Sequence, residues 1–220
     1  MKKFYYLCSG LILSIIIILT GCGKKSVDLT VIETDYGPMV IRFFENDAPK
    51  HVESFKTLAG EGYFDGTTFH RVVPGFVIQG GDPNSRDDDR FNDGMGGRAG
   101  KFYGIGKEDD PDSWLLPAEF NNRSHIRGTV SMARSMDENS AGSQFFICMD
   151  SLPQLNNKYT VFGQIIQGEE VLDSIVSVDT PKKLNPNYHL PDGDNPIDPV
   201  QMKVRITTDK ELEINIKEGK

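Results

Sequence analysis

Cysteine is scarce in this chain of 220 residues, with one residue each at positions 8, 22 and 148. Cys8 lies within an apolar N-terminal run, and Cys22 follows directly after that run. If both belong to a targeting segment, Cys148 stands alone and the remaining chain can form no intramolecular disulfide. The fold must then rest on its apolar core. Cys148 itself, within the apolar run FFIC, is expected to be a small buried side chain.

Beyond residue 22 the sequence also lacks any apolar run long enough to cross a bilayer, which excludes a protein with several membrane spans. The one long run covers residues 4–20 and follows Lys2 and Lys3, an arrangement typical of a secretory signal. It ends in LTGC at residues 19–22, which resembles a bacterial lipobox. An uncleaved membrane anchor over residues 4–20 is the alternative interpretation.

The lipobox resemblance implies a lipoprotein signal peptide at residues 1–21 and diacylation of the Cys22 thiol. Residues 22–26 would then be a lipidated linker between the membrane and the folded part of the chain. We therefore expect an extracytoplasmic domain, anchored to the cell membrane of a bacterium through lipid.

Positive charge is in the minority, since 24 basic residues face 32 acidic ones and the net charge is -8. This balance argues against binding to nucleic acid or electrostatic adsorption to an anionic bilayer. The four histidines, His51, His70, His125 and His189, do not fall at metal-ligand spacing. The acidic clusters of residues 82–117 do not match a calcium-loop pattern either. We expect neither a metal nor a cofactor, and this long stretch is expected to be a solvated loop.

Alternating apolar and polar residues predict many short strands. A Gly-Pro turn joins the first two strands into a hairpin. Asp47 and Pro49 mark the start of a helix that ends near Gly60, and residues 169–176 form a second amphipathic helix. The predicted strands lie near residues 27–31, 39–43, 72–78, 128–133, 143–149, 159–166 and 200–207. With no internal repeat, this pattern suggests one all-β domain over residues 27–209, a barrel capped by two helices, followed by a charged tail at 210–220 that frays.

Residues 69–82, FHRVVPGFVIQGGD, form the most informative stretch of the sequence. Its valines favour extended backbone, and Pro74-Gly75 is a turn dipeptide that changes the direction of the chain. Arg71 and Gln79 lie among apolar residues, close to Phe76. Polar side chains embedded in apolar strands must find partners or serve a ligand.

This stretch closely resembles the signature of cyclophilin-type peptidyl-prolyl cis-trans isomerases. Two further blocks agree with it in order and spacing: SMARSMDENSAGSQFFI at residues 131–147 and VFG at residues 161–163. The resemblance covers residues 27–208. It implies a mainly-β fold, a closed eight-stranded antiparallel β-barrel capped by two α-helices.

By the same resemblance, Arg71, Phe76 and Gln79 match the family's catalytic residues. The substrate-binding positions correspond to Val77, Ala133, Arg134, Gln144, Phe146, Leu155 and Tyr159. An isolated phenylalanine in a strand is more often a core residue. Here the joint occurrence of Arg71, Phe76, Gln79, Gln144 and Phe146 favours a binding cleft.

The implied reaction suits these residue types. Rotation about an X-Pro bond is slow because it breaks amide resonance, with a barrier of about 18–20 kcal/mol. A catalyst needs a pocket for the proline ring and a donor aimed at the charge that grows in the twisted amide. Arg71 presents a rigid, permanently charged fork of N–H groups. The predicted partners are proline-containing segments of secreted or surface proteins as they fold, and we expect a monomer.

Three positions depart from the family pattern. Arg134 stands where asparagine is common, and Tyr159 stands where many members have histidine. Gln154 occupies the position of a tryptophan associated with tight cyclosporin binding, so we predict weak cyclosporin sensitivity. These departures leave a second hypothesis open: a non-catalytic module that binds proline-containing peptides, or a chaperone whose isomerase activity is incidental.

Overall fold

The computed structural model describes residues 26–216, so the predicted signal peptide, Cys22 and the last four residues lie outside the described part. Eight strands and two helices of at least two turns make up the fold. The strands are β1 (Asp28–Thr34), β2 (Gly37–Phe43), β3 (Arg71–Val73), β4 (Val77–Gly80), β5 (Thr129–Met132), β6 (Phe145–Cys148), β7 (Val161–Gln167) and β8 (Lys203–Thr208). The helices are α1 (Pro49–Gly60), α2 (Glu169–Val176) and a single turn, α3 (Pro181–Leu184).

All eight strands belong to one antiparallel sheet with the order β3-β4-β6-β5-β7-β2-β1-β8. The predicted mainly-β fold with antiparallel strands is confirmed, but the closed barrel is wrong. Within the described residues β3 and β8 remain the two edges of the sheet. They are linked only by a short bridge between Thr68 and Gln201, which lies just outside both strands. The sheet is therefore curled but open.

The inner face of the sheet packs on α1 through an aromatic cluster centred on Phe55. This ring stacks on Phe64 at 4.8 Å between centroids and meets the edge of Phe145 at 5.5 Å. Phe162 lies 5.4 Å away on the same side. Aromatic pairs in these arrangements contribute beyond the apolar area that they bury, so this cluster is the centre of the core.

The start of α1 differs from the prediction that Asp47 caps it. Ala48 occupies the N-cap position and makes no side-chain cap bond. The Glu119 carboxylate instead accepts the backbone N–H groups of Lys50 and His51 and lies 2.8 Å from Nδ1 of His51. Burial opposes ionisation of this carboxyl, but the bonds from His51 and Lys50 lower the pKa of Glu119 below its ordinary value. A distant acid therefore supplies the cap that helix ends require.

Residues 82–117 are only in part the solvated loop that their acidity predicts, because the acidic residues 87–89, 108 and 109 are exposed while other parts of the stretch pack on the domain. Ala99 and Leu116 are fully buried in the core. The backbone N–H of Gly100 donates to Oγ of Ser54 on α1 at 2.8 Å. A Cβ at Gly100 would come within 2.7 Å of the Ser54 carbonyl oxygen, so only glycine allows this close approach. The part of the stretch around Gly100 therefore packs directly on α1.

The tail also packs where fraying was expected. The described residues up to Ile216 fold back onto the outer face of β1 and β2, where Ile216 joins a buried cluster with Leu29, Val31 and Val40. The Asp209 carboxylate accepts the backbone N–H of Val27 at 2.9 Å, which ties the two ends of the domain together. In the region that the structure covers, no helix is long and apolar enough to span a membrane.

Candidate active site

Strand register places the predicted catalytic residues side by side. Arg71 on β3 lies opposite Gln79 on β4, and Gln79 lies opposite Phe146 on β6. Successive side chains of a strand point to opposite faces of the sheet. The neighbouring residues of the same three strands, Val72, Ile78 and Ile147, consequently face the core and are buried.

A cavity of about 180 Å³ opens on this face of the sheet. Every predicted catalytic and substrate-binding residue except Gln144 lines it: Arg71, Phe76, Val77, Gln79, Ala133, Arg134, Phe146, Leu155 and Tyr159. Its apolar floor is the Phe146 ring, which meets the edge of Tyr159 at 5.5 Å and packs with Val77 and Leu152. The size and the apolar floor suit a proline ring.

A chain of amides positions the arginine at the rim of this cavity. Nη1 of Arg71 donates to Oε1 of Gln79 at 3.4 Å, and Nε2 of Gln79 donates to Oε1 of Gln144 at 3.0 Å. Nε2 of Gln144 donates in turn to the Gly96 carbonyl at 2.7 Å. The guanidinium carbon of Arg71 lies 5.7 Å from the centroid of the Phe76 ring, and its side chain is 40% exposed. The arginine is thus held in place while its N–H groups can still reach a ligand.

The unusual Arg134 is held against the rim and does not fill the cavity. Its Nε and Nη2 donate to the Lys158 carbonyl at 3.0 and 2.9 Å. The guanidinium lies 4.9 Å from the centroid of the Tyr159 ring. This departure from the family pattern therefore leaves the apolar floor accessible. Gln154, the other notable departure, is exposed on the turn Pro153–Leu155, and weak cyclosporin binding stays a prediction.

One residue behind the floor was missed as part of the site by the sequence analysis. The His125 ring stacks on Phe146 at 6.0 Å between centroids and approaches Oδ1 of Asn156 at 3.0 Å and Oγ of Ser131 at 3.1 Å. Burial lowers its pKa. These contacts hold the Phe146 ring on the side away from the cavity. No sequence pattern near His125 predicts them.

The signature resemblance also implies that His70 is a structural hydrogen-bonding residue, and this stays a prediction. Its side chain is buried, with the Thr68 backbone and the Gln144 amide beside it. Neither ring nitrogen forms a hydrogen bond with any described residue. Burial lowers the pKa of His70 to about 4, the Asp82 carboxylate opposes this shift and the Arg71 guanidinium adds to it. His70 is therefore a neutral buried imidazole beside Arg71.

We expect His70 to make the stability depend on pH. Because its folded pKa lies below its unfolded value of about 6.5, the unfolded chain takes up a proton first as the pH falls. The contribution of neutral His70 to the free energy of unfolding is fully present above pH 6.5. It is lost as the pH falls from about 6.5 to 4. His70→Gln should reduce that loss by roughly 2–3 kcal/mol in denaturant titrations at several pH values. His189→Gln, at an exposed histidine, is the control, and equal pH profiles for wild type and His70→Gln would refute the assignment.

Comparisons with known proteins agree with this geometry. A family model described as "Cyclophilin type peptidyl-prolyl cis-trans isomerase/CLD" matches residues 29–203. The chain is 39% identical over 164 residues to a probable peptidyl-prolyl cis-trans isomerase of Brucella abortus, covering 74% of this chain and 79% of the relative. It is also 39% identical over 141 residues to a peptidyl-prolyl cis-trans isomerase of Synechococcus elongatus, covering 64% and 82%.

Among solved structures, a cyclophilin type peptidyl-prolyl cis-trans isomerase of Cryptosporidium parvum, crystallised in the presence of the dipeptide Ala-Pro, is similar in fold. The TM-score is 0.65 with 32% sequence identity, and the similarity covers 82% of this chain and 98% of that chain. The family match, the homologous sequences and the shared fold thus agree with a cleft built for an X-Pro bond. The chain belongs to the cyclophilin family of peptidyl-prolyl cis-trans isomerases.

Proposed function

We propose that this cyclophilin rotates X-Pro bonds with Arg71 as its electrostatic catalyst and with the cavity above Phe146 as its proline site. The observation that carries the proposal is the position of the Arg71 guanidinium at the rim of that cavity, held by Gln79 and by the Phe76 ring. Phe76, Val77, Leu155 and Tyr159 complete the walls around the proline ring.

The chemistry needs no covalent intermediate. As the X-Pro amide twists, resonance is lost and the lone pair returns to the prolyl nitrogen. The N–H groups of Arg71 stabilise that developing charge more strongly than they stabilise the planar amide, which lowers the barrier. The Gln79 and Gln144 amides hydrogen-bond the substrate backbone, while Ala133 and Arg134 flank the residue that precedes proline. A neutral His70 next to Arg71 adds no competing positive charge.

We propose proline-containing polypeptides as substrates, in particular secreted or surface proteins during folding. Support comes from the cyclophilin of C. parvum, which was crystallised in the presence of Ala-Pro. The test is the cis-trans exchange rate of an X-Pro peptide, measured by NMR with and without the full chain. Acceleration identifies the enzyme, whereas peptide binding without acceleration would favour the non-catalytic module.

We further propose that the full-length protein is a lipoprotein, diacylated at Cys22 and held outside the cytoplasm on the cell membrane of a bacterium. The support is the sequence LTGC after an apolar run that follows two lysines. The first strand of the domain, β1, begins at Asp28, only a few residues after Cys22. A short linker of this length would keep an acidic domain close to the membrane surface.

Replacement of Cys22 by serine should abolish lipid attachment, because serine offers no thiol for diacylation. Expressed in a bacterium, the wild-type chain should enter the detergent phase after Triton X-114 separation, and Cys22→Ser should stay unprocessed or enter the aqueous phase. Cys148→Ser, at the buried cysteine of the domain, is the matched control. Unchanged partitioning and unchanged mass of the Cys22→Ser protein would exclude lipidation at this position.

A further inference from the structure

A second cavity, of about 320 Å³, lies on the other side of Arg71 from the proline site. The two cavities share Arg71 and Gln79, so they are adjacent parts of one cleft. The walls of the second cavity come from the acidic stretch after β4 and from the turn Pro191–Asp194.

Hydrogen bonds hold these two walls together. Nη2 of Arg90 donates to the Asn195 carbonyl at 2.7 Å, and Nδ2 of Asn195 donates to Oδ2 of Asp93 at 2.6 Å. Nε of Arg90 also lies 3.3 Å from Oδ2 of Asp192. Segments more than 100 residues apart in sequence are therefore fixed against each other. The walls of this cavity are therefore held in place by contacts within the fold.

Several buried polar groups at this cavity have no hydrogen-bond partner among residues 26–216. His70 lines the cavity with only 5% of its surface exposed, and both of its ring nitrogens are unpartnered. Oδ1 of Asp93 is also buried without a hydrogen bond. Buried polar atoms are nearly always paired in folded proteins, so such groups around a cavity indicate a missing ligand or ordered water.

The charges around the cavity favour a ligand with N–H donors and positive charge. Asp192 is paired with Arg90 and accepts the Tyr188 hydroxyl at 2.7 Å. Asp194 lies at the rim between Nζ of Lys182 at 3.5 Å and Nε of Arg71 at 4.0 Å. The open acceptor that faces the cavity is therefore the unpaired oxygen of Asp93. Among the described residues, no three acidic, histidine or cysteine side chains are arranged to hold a metal ion. An organic cation is therefore the better match.

We propose that this second cavity is an extended substrate subsite that takes a lysine or arginine side chain of the polypeptide. The inference rests on the proposed function, because the proline ring must occupy the first cavity. Ala133 and Arg134 flank the residue before proline, so the chain after proline leaves past Arg71. An extended chain advances about 3.3 Å per residue, so we assign the recognised side chain to one of the first residues after proline, the second or the third.

The test uses matched X-Pro peptides that carry lysine, arginine, norleucine or glutamate at the second or third residue after proline. NMR titration of the full chain gives the Kd of each peptide, and exchange spectroscopy on the same samples gives the isomerisation rate. The lysine and arginine peptides should bind about five- to tenfold more tightly than the glutamate peptides, as expected for a charge-assisted hydrogen bond in a half-open site.

Asp93→Asn should reduce this preference to less than about twofold, because it removes the charge while its amide oxygen can still accept from Asn195. Asp194→Asn, at the rim, provides a second variant and should also reduce the preference. Asp88→Asn removes an exposed charge from the same stretch and should keep the wild-type preference.

Equal Kd values for the lysine and glutamate peptides in the wild-type protein would overturn the proposal, and so would a preference that Asp93→Asn and Asp194→Asn both preserve. These results concern affinity alone. Failure of the proposed function would instead appear as an unchanged isomerisation rate for every peptide, whatever its Kd. The two failures are therefore distinguishable.

Discussion

Replacement of Arg71 by alanine is expected to lower kcat/KM for an X-Pro peptide by about 100- to 1000-fold, the usual effect of removing one preorganised donor from a transition state. The side chain is 40% exposed and contacts Gln79 through a hydrogen bond and Asp194 at 4.0 Å, so its removal exposes no core. The loss should therefore fall on the rate and leave the thermal unfolding midpoint nearly unchanged. Exchange NMR and calorimetry measure the two quantities separately.

Two further variants test whether the effect of Arg71 on the rate depends on the geometry of its guanidinium group. Arg71→Lys keeps the charge but loses the rigid fork of donors, and it should recover only a small part of the rate. Arg205→Ala removes an arginine of similar exposure from β8, where it pairs with Glu33 at 2.8 Å, and it should retain the wild-type rate. Near wild-type activity of a folded Arg71→Ala protein would exclude Arg71 as the principal catalytic residue.

Replacement of Phe145 by alanine should have the largest effect on stability, a loss of about 3–5 kcal/mol in the free energy of unfolding. Phe145 is fully buried, and its ring meets the rings of Phe55, Phe64 and Phe69 at centroid distances of 5.5, 6.0 and 6.2 Å. Truncation would leave a cavity at the centre of the aromatic cluster. Urea titration monitored by circular dichroism gives the change.

Phe91→Ala is the matched control, since that ring is 52% exposed and should contribute less than about 0.5 kcal/mol. The neighbouring Phe146→Ala tests the opposite face of β6. Because the Phe146 ring forms the floor of the proposed proline site, this variant should raise KM by at least about tenfold when measured on the folded fraction. A Phe145→Ala protein as stable as Phe91→Ala would show that the aromatic cluster does not dominate the core.

The features that depend on nearby residues could be predicted from the amino-acid sequence. Alternation predicted the strands, and the turn between β1 and β2 predicted their hairpin, because the side-chain period and turn chemistry are local properties. The stripe of Val171, Leu172 and Ile175 predicted α2. The resemblance to the family signatures also predicted that Arg71, Gln79 and Phe146 belong to one site, which their cross-strand register agrees with.

Features that depend on residues far apart in the sequence become visible only in the folded protein. The cap of α1 is Glu119, 68 residues away from His51, and nothing near residue 47 reveals it. The open edges at β3 and β8, the packing of Ala99 and Leu116 into the core and the burial of His70 depend in the same way on segments that only folding brings together. A local sequence pattern predicts whether a residue favours a helix or a strand and which face of it is apolar. The burial and the hydrogen bonds of a residue depend instead on the distant segments that pack against it in the folded protein.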